Sequence, residues 1–253
     1  MSVEIVSEQL RQLKMHQAAL DLPDSLAKIK KAVSLDWLIE VLQNEIDSRK
    51  AKRLESRIKQ ACFPERTSLE EFDWDFNPDI DRIRIESIAS LNFIREKRIV
   101  LFLGKTGTGK THLALAIGLR AIAQEYKVFC SSMKRLAEKI EISKRMGRLD
   151  LLFKRMLSKD LWILDDWGVV SMTREIAEEV FDLLDRRKNS CSLILTSNRD
   201  VPEWGRIFPE PVLASAAIDR LFDHAEIVCF RGKSYRLSGR ITMDGLDSFK
   251  FLD

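Results

Sequence analysis

Glycine, lysine and threonine residues recur at a fixed spacing near the middle of the chain, in the stretch "VLFLGKTGTGKTH". Residues 104–111 satisfy the pattern G-x-x-x-x-G-K-[ST], which is typical of loops that bind the phosphates of a nucleoside triphosphate. Gly107 and Gly109 allow backbone conformations that direct N–H groups at phosphate oxygens. Lys110 is expected to reach the β- and γ-phosphates, and the Thr111 hydroxyl to bind Mg²⁺. The candidate nucleotide-binding residues of this loop are Gly104, Lys105, Thr106, Gly107, Thr108, Gly109, Lys110, Thr111 and His112.

Two adjacent carboxylates end an apolar run in "LWILDDWG". An apolar strand that ends in an acid places a carboxylate at the carboxyl edge of a parallel sheet, where ligands of open α/β sheets bind. Asp165 is therefore a candidate to hold Mg²⁺, directly or through water, and Asp166 a candidate to polarise the attacking water. Asp166 could instead start a turn or cap a helix. Because glutamate is more usual at the second position and aspartate is one methylene shorter, we expect ATP hydrolysis to be slow or to depend on assembly or DNA.

Polar residues also follow a later apolar run, in "LILTSNRD". Positions 196–198 are expected at the same sheet edge, where a side chain such as that of Asn198 can orient water and respond to the γ-phosphate. Further along, "AIDRLFDH" places Arg220 at the start of a helix. Taken alone, Arg220 is expected to form a surface salt bridge with Asp219 or Asp223.

The elements that would hold these residues are apolar runs separated by helical stretches. Continuous apolar runs of this kind predict an α/β fold, a parallel five-stranded sheet with flanking helices. Residues 1–62 instead carry apolar positions at helical spacing, and Pro23 is expected to interrupt their first stretch. We predict a small all-helical N-terminal domain, residues 1–65, and a nucleotide-binding ATPase domain, residues 66–253. The predicted strands are residues 98–103, 127–131, 161–165, 192–197 and 226–230.

The composition is that of a soluble globular protein, with 45% hydrophobic and 32% charged residues in 253 positions. No apolar run approaches the roughly 18 residues of a membrane span, and the N-terminus lacks the apolar region of a signal peptide. We therefore expect a cytoplasmic protein without a membrane partner. The cysteines form no C-x-x-C pair, so we expect reduced packing residues at Cys62, Cys130, Cys191 and Cys229.

Two basic runs give the chain an uneven charge distribution, although its net charge is only +3. One lies between the second and third predicted strands, in a stretch long enough for two helices, and the other ends the N-terminal helical region. The alternative is a solvated helix face that balances acids elsewhere. Phosphate contacts would give non-specific binding to duplex DNA that weakens with salt. The cations predicted to contact DNA are Arg49, Lys50, Arg53, Lys134, Arg135, Lys139, Lys144, Arg145 and Arg148.

Three aromatic residues alternate with acids in the extended segment "TSLEEFDWDFNP". We expect Phe72, Trp74 and Phe76 to pack between the two domains. Contact with adenine is the alternative for these rings.

Several motifs in the same order resemble the IstB ATPases, helper proteins of a transposon family that are related to the DnaC helicase loaders of the AAA+ superfamily. The resemblance covers nearly the whole chain and includes "SLEEFDWDFNPDIDR", "GKTGTGKTH", "LWILDDWG", "LTSNRDVPEWG", "EPVLASAAIDRLFDHAEIV" and "RGKSYRL". It implies an AAA+ fold, ATP and Mg²⁺ as cofactors, and active sites formed between subunits of a spiral or ring. Asn198 would act as a sensor, Arg220 as an arginine finger in a neighbouring subunit's site, and Arg236 as a second sensor arginine.

The resemblance also implies a function, an ATPase that oligomerises on duplex DNA and recruits a transposase to its target. A helicase loader is the close alternative and would share every active-site residue. A small-molecule kinase is a more distant one, because it needs a substrate pocket and usually a mobile lid, for which the sequence shows no insert. Two departures stand out: the phosphate loop lacks the prolines that family members often carry, and Asp166 replaces the commoner glutamate.

Overall fold

The computed structural model describes residues 2–29, 33–188 and 190–238. The chain divides into two compact units, Met1–Ser56 and Arg57–Asp253. Within the described ranges, none of the helices combines the length and the apolar content that crossing a bilayer requires.

The first unit is helical, as predicted. Its helices are α1 (Ser2–Gln12), α2 (His16–Ala27) and α3 (Asp36–Ala61), and the last turns of α3 belong to the second unit. Apolar residues at helical spacing form its core, because each helix turns one stripe of side chains inward. The buried members are Val6, Leu10, Leu13, Ala19, Leu35, Leu42 and Ile46.

The first helical stretch breaks at Lys14, and the prediction that Pro23 interrupts it is wrong. Pro23 lies inside α2. Lys14 has a φ of +64°, and the Met15 N–H donates to the Leu10 carbonyl at 2.8 Å. This left-handed cap satisfies a carbonyl at the end of α1 and turns the chain before α2 begins. The backbone conformation at Lys14 therefore decides where the helix ends.

The second unit contains a five-stranded sheet in the order β2-β3-β4-β1-β5, in which every neighbouring pair is parallel. Each predicted strand is present to within a residue of its predicted limits. The apolar runs are continuous because both faces of the sheet are covered. The strands are β1 (Ile99–Gly104), β2 (Val128–Ser132), β3 (Leu161–Asp165), β4 (Ser192–Ser197) and β5 (Ala225–Phe230).

Helices cover both faces of the sheet, which confirms the predicted α/β fold. Successive strand residues point to opposite faces, so Ile99 and Leu101 join one core and Val100 and Phe102 the other. The helices are α4 (Arg82–Ala89), α5 (Asn92–Arg95), α6 (Lys110–Ala123), α7 (Met133–Arg145), α8 (Leu149–Leu157), α9 (Arg174–Arg187) and α10 (Pro211–Phe222), with a 3-10 helix at Val201–Arg206. The first core packs against α7 to α10, and the second against α4 to α6.

The four cysteines are free thiols, and two of them are packing residues. Cys130 and Cys191 are buried in the cores, and burial raises the pKa of each thiol to about 12. Cys62 and Cys229 are exposed, contrary to the packing role expected for them. Because a thiolate is the reactive form, the buried pair is chemically inert near neutral pH.

Candidate nucleotide-binding site

The phosphate loop connects the carboxyl end of β1 to the first turn of α6. Gly107 and Gly109 have φ angles of +81° and +99°, which L side chains rarely adopt. A Cβ at Gly107 would lie 2.0 Å from the Ser234 Oγ, and one at Gly109 would lie 2.5 Å from the Phe72 ring. The loop therefore requires glycine at both positions, for backbone conformation and for space. Gly109 also caps α6, so the amides that begin this helix face a ligand in the loop.

Lys110 lies inside the loop with only 7% of its surface exposed. Its Nζ donates to the carbonyl oxygens of Gly104 and Lys105, each at 2.6 Å. Burial lowers the pKa of this ammonium to about 8, although the carboxylates of Asp165 and Asp166 oppose the shift. A buried cation of this kind is poised to exchange its carbonyl partners for phosphate oxygens, whose charge stabilises the protonated form.

Two hydroxyl groups converge on the carboxylate that ends β3. Thr111 Oγ1 donates to Asp165 Oδ1 at 2.8 Å, and Thr196 Oγ1 donates to the same oxygen. A carboxylate and a hydroxyl beside a phosphate loop are the hard oxygen ligands that Mg²⁺ prefers together with phosphates. Thr111 and Asp165 therefore fit the predicted metal role.

Asp166 follows in a left-handed conformation, with a φ of +59°. Its backbone N–H donates to Thr196 Oγ1 at 3.1 Å, and its side chain lines the same pocket as Lys110. Burial raises the pKa of this carboxyl above its ordinary value, and the neighbouring charge of Asp165 adds to the shift. Asp166 also begins a turn, since its carbonyl accepts from the Val169 N–H at 3.3 Å. It caps no described helix, because α9 begins later, after Thr173.

The residues that follow β4 reach the phosphate loop, as the sequence predicted for position 198. The Asn198 amide donates to Thr106 Oγ1 at 3.2 Å and lines the pocket. Thr196 is 1% exposed. Sequence reasoning placed Thr196 at this edge but gave it no contact with the carboxylates, because that contact depends on β4 lying beside β3.

An aromatic wall forms part of the pocket lining. Phe72 and Phe76 line it, and Phe76 packs edge-on against Tyr235 with ring centroids 4.9 Å apart. Within the second unit, the ring centroid of Phe72 lies 4.7 Å from that of Trp74 and 5.6 Å from that of His112. The rings thus belong to the second unit's own core and pocket, which corrects the expectation that they pack between domains.

The pocket lining also includes residues to which the sequence analysis assigned no role, or a role only from the family resemblance. Asn77 and Tyr235 were not singled out, and Arg236 was assigned a sensor role only from the resemblance. The motif "SYRL" was the available signal, since a tyrosine beside an arginine after the last strand suits a nucleotide. His112 lines the pocket too, and its Nε2 is hydrogen-bonded to the Ser68 carbonyl at 2.9 Å.

Arg220 lies in the last turn of α10, so the prediction that it stands at the start of a helix is wrong. The pocket lining within the described part of the chain does not include it. Its Nε donates to Asp185 Oδ1 of α9 at 2.7 Å, and its Nη1 lies 3.3 Å from Asp219 Oδ2. The side chain is 37% exposed. Within one chain, Arg220 forms the surface pair with Asp219 that the sequence suggested, while Asp223 pairs with Lys188 at 2.6 Å.

The basic stretch between β2 and β3 forms two helices, as expected, and some of its cations already have partners. Lys144 pairs with Glu179 of α9 at 2.9 Å, Arg145 pairs with Glu141, and the Lys139 ammonium lies 5.1 Å from the centre of the Phe129 ring. The remaining predicted DNA contacts here are Lys134 and Arg135 in α7 and Arg148, which precedes α8.

In the first unit, the predicted DNA contacts lie on α3. Arg49 pairs with Glu45 at 2.6 Å and donates to the Leu13 carbonyl at 3.2 Å, and Arg53 donates to the Arg49 carbonyl at 3.3 Å. Lys50 is exposed on the same helix. Contact of both basic groups with DNA stays a prediction.

A phosphate loop after β1, an acid at the end of β3 and β4 between these strands define a P-loop fold of the AAA+ type. The fold agrees with solved structures. The match with the crystal structure of DnaI spans 67% of this chain and 90% of the DnaI chain, with a TM-score of 0.56 and 21% sequence identity. AMPPCP-bound DnaA from Aquifex aeolicus covers 75% of this chain and 57% of its own, with the same TM-score and identity. Similarity at this level establishes the fold alone.

The chain belongs to the IstB-like ATP binding protein family, whose sequence model matches residues 8–242. It is 37% identical to an "Insertion sequence IS21 putative ATP-binding protein" of Pseudomonas aeruginosa over 90% of this chain and 87% of the relative. It is 32% identical to an "Insertion sequence IS232 putative ATP-binding protein" of Bacillus thuringiensis subsp. berliner over 96% of this chain and 98% of the relative. The resemblance seen in the motifs is thereby confirmed.

Proposed function

We propose that this protein is an ATPase whose subunits assemble on duplex DNA in an ATP-dependent manner and recruit a transposase to it. Membership of the IstB-like family supports ATP as the ligand, and the insertion-sequence relatives support a role in transposition. ATP and Mg²⁺ are the proposed cofactors. The observation that carries the proposal is that Lys110, Asp165 and Asp166 line the pocket, whereas Arg220 lies outside it on α10.

The pocket holds one half of an ATPase site. Lys110, Asp165 and Asp166 line it together with Asn198, whereas Arg220 lies on α10 with 37% of its side chain exposed. Stabilising the charge of phosphoryl transfer commonly uses an arginine supplied by another molecule. Arg220 of a neighbouring subunit would complete the site, so ATP would join two subunits and its hydrolysis would release them.

Five residues of the pocket have a defined part in this scheme. Lys110 binds the β- and γ-phosphates, and Thr111 with Asp165 holds Mg²⁺, which neutralises charge on the phosphates when bound. Asp166 accepts a proton from the attacking water, and Asn198 orients that water. Because the side chain of Asp166 is short, we expect hydrolysis to stay slow until assembly on DNA aligns the groups.

DNA contact would come from cations that release counterions from phosphates. The α7–α8 hairpin offers Lys134, Arg135, Lys139, Lys144, Arg145 and Arg148, and α3 offers Arg49, Lys50 and Arg53. Such contacts recognise no bases, so binding should be non-specific, with log K falling against log salt by roughly 0.9 per phosphate neutralised.

The assembly claim is tested by measuring the ATPase rate per subunit against protein concentration, with and without duplex DNA. We expect the rate of wild type to rise with concentration and that of Arg220→Ala to stay low at every concentration. Mixing Arg220→Ala with Lys110→Ala should restore part of the activity, because one mixed interface pairs an intact loop with an intact arginine. A rate independent of concentration and of Arg220 would refute shared sites and favour a monomeric kinase-like enzyme.

The DNA claim is tested by charge reversal with a matched control. Arg148→Glu should weaken duplex binding and flatten its salt dependence by roughly one phosphate. Arg95→Glu makes the same charge change at an exposed position on α5, which packs on the opposite face of the sheet, and should leave the slope unchanged. Equal effects of the two variants would show that only net charge matters and would remove the α7–α8 hairpin from the interface.

The partner is tested by co-sedimentation on DNA with a transposase and, in parallel, with a replicative helicase. The relatives' association with insertion sequences favours the transposase. ATP-dependent retention of the helicase alone would instead support a helicase loader.

A further inference from the structure

Asn77 holds the segment that follows β5 by a reciprocal pair of hydrogen bonds. Its Nδ2 donates to the Lys233 carbonyl and its Oδ1 accepts from the Lys233 N–H, both at 3.0 Å. The residue is only 5% exposed. A carboxamide that both donates to and accepts from one residue reproduces the pairing of two β-strand residues, so it fixes the direction of that segment as well as its distance.

Residues 232–237, which we call the strap, are attached to the phosphate loop at a second point. The Tyr235 N–H donates to the Gly107 carbonyl at 2.9 Å. Packing here is close, since a Cβ at Gly107 would lie 2.0 Å from Ser234 Oγ and one at Gly232 would lie 2.2 Å from Asn77 Oδ1. The strap therefore runs between Asn77 and the loop with no room for an additional methyl group at either glycine.

The two attachments bring the strap's polar residues into the pocket. Tyr235 and Arg236 line it with Lys110 and Asp166. The strap thus brings Arg236 into the same pocket as the phosphate loop, where a triphosphate would be held.

We propose that Asn77 is a positioning residue that fixes the strap across the phosphate loop and so places Arg236 beside the nucleotide phosphates. The proposal rests on the proposed ATP binding. It assigns to Asn77 no contact with the reacting atoms, and it makes the effect of Asn77 depend on Arg236. A merely structural asparagine would stabilise the unit without that dependence.

The test is a double-mutant cycle on ATP affinity with Asn77→Leu and Arg236→Ala. Leucine has nearly the shape of asparagine but lacks both hydrogen-bonding atoms. We expect Asn77→Leu to weaken ATP binding roughly tenfold in the wild-type background, as for loss of a charged contact, and by less than about twofold when Arg236 is already alanine. Equal losses in both backgrounds would overturn the proposal. Absence of ATP binding by the wild type would instead overturn the proposed function on which it rests.

A second variant approaches the strap from its other side. Gly232→Ala adds a Cβ against Asn77 at a residue with a φ of +120°, and should weaken ATP binding in the same Arg236-dependent manner. Gly147→Ala is the matched control, because Gly147 also has a positive φ, +65°, and its Cβ would meet nothing within 4 Å. Thermal unfolding without nucleotide identifies any variant that fails to fold. If Asn77→Leu fails to fold, Gly232→Ala takes its place in the double-mutant cycle. An unchanged affinity in folded Gly232→Ala, or an equal loss in Gly147→Ala, would refute a role for the strap's position.

Discussion

Replacing Thr196 by valine tests the network that holds the two carboxylates. Valine has the shape of threonine without its hydroxyl group. Thr196 Oγ1 donates to Asp165 Oδ1 and accepts from the Asp166 N–H at 3.1 Å. One substitution therefore removes the support of the carboxylate proposed to hold Mg²⁺ and of the backbone that aims Asp166. We expect ATP hydrolysis to fall more than ATP binding.

The size of the effect follows from the partners that are lost. A hydrogen bond to a charged group contributes about 1.5–3 kcal/mol, and a buried group left without a partner costs about 1–3 kcal/mol. Thr196 is 1% exposed, so water cannot readily replace its hydroxyl. If about 1.4–2.8 kcal/mol of this is lost from the transition state, hydrolysis slows by about 10- to 100-fold.

The assay compares the hydrolysis rate at saturating ATP with the ATP dissociation constant for Thr196→Val and Thr196→Ser. Serine retains the hydroxyl, so it should keep most of the rate, and thermal unfolding should show both variants folded. Two outcomes would refute the reasoning: a normal rate in Thr196→Val, or a serine variant as slow as the valine one.

Three further predictions concern charge. Burial lowers the pKa of Lys110 to about 8, and phosphates bind the protonated form of the ammonium. ATP affinity measured by titration calorimetry should therefore be constant below that pH and fall by up to about tenfold per pH unit above it. An affinity that stays constant up to about pH 9.5 would contradict this prediction. Asp166→Asn should reduce hydrolysis about 10²- to 10⁴-fold with ATP binding retained, and Asp166→Glu should raise the rate above that of wild type. A rate assay in which Asp166→Asn is faster than wild type and Asp166→Glu is slower would exclude Asp166 as the base. Glu179→Gln releases Lys144 from its ion pair and should strengthen duplex binding a few-fold at low salt, as fluorescence anisotropy would detect, whereas weaker binding would mean that Glu179 orients Lys144.

Much of the fold could be predicted because its signals are local. Strands β1 and β3 are continuous apolar runs, and a helix begins immediately after the phosphate loop at Lys110. Where a local signal competed with backbone geometry, the prediction was wrong: α2 continues through Pro23, and the left-handed Lys14 ends α1 instead. The prediction for the aromatic segment was wrong for a related reason. Alternation with acids indicates that rings such as Phe72 are buried on one side, but it does not indicate which core they join.

The sequence by itself determined the phosphate loop, the acids at the end of β3 and the family, because these depend on the types and spacing of residues that are close along the chain. The tertiary structure decided which distant groups complete the site. Asn77 and Lys233 are 156 positions apart, and Thr196 reaches Asp165 only because β4 lies between β1 and β3. Hydrogen bonds act over about 3 Å, so such contacts exist only once the order and register of the strands are fixed.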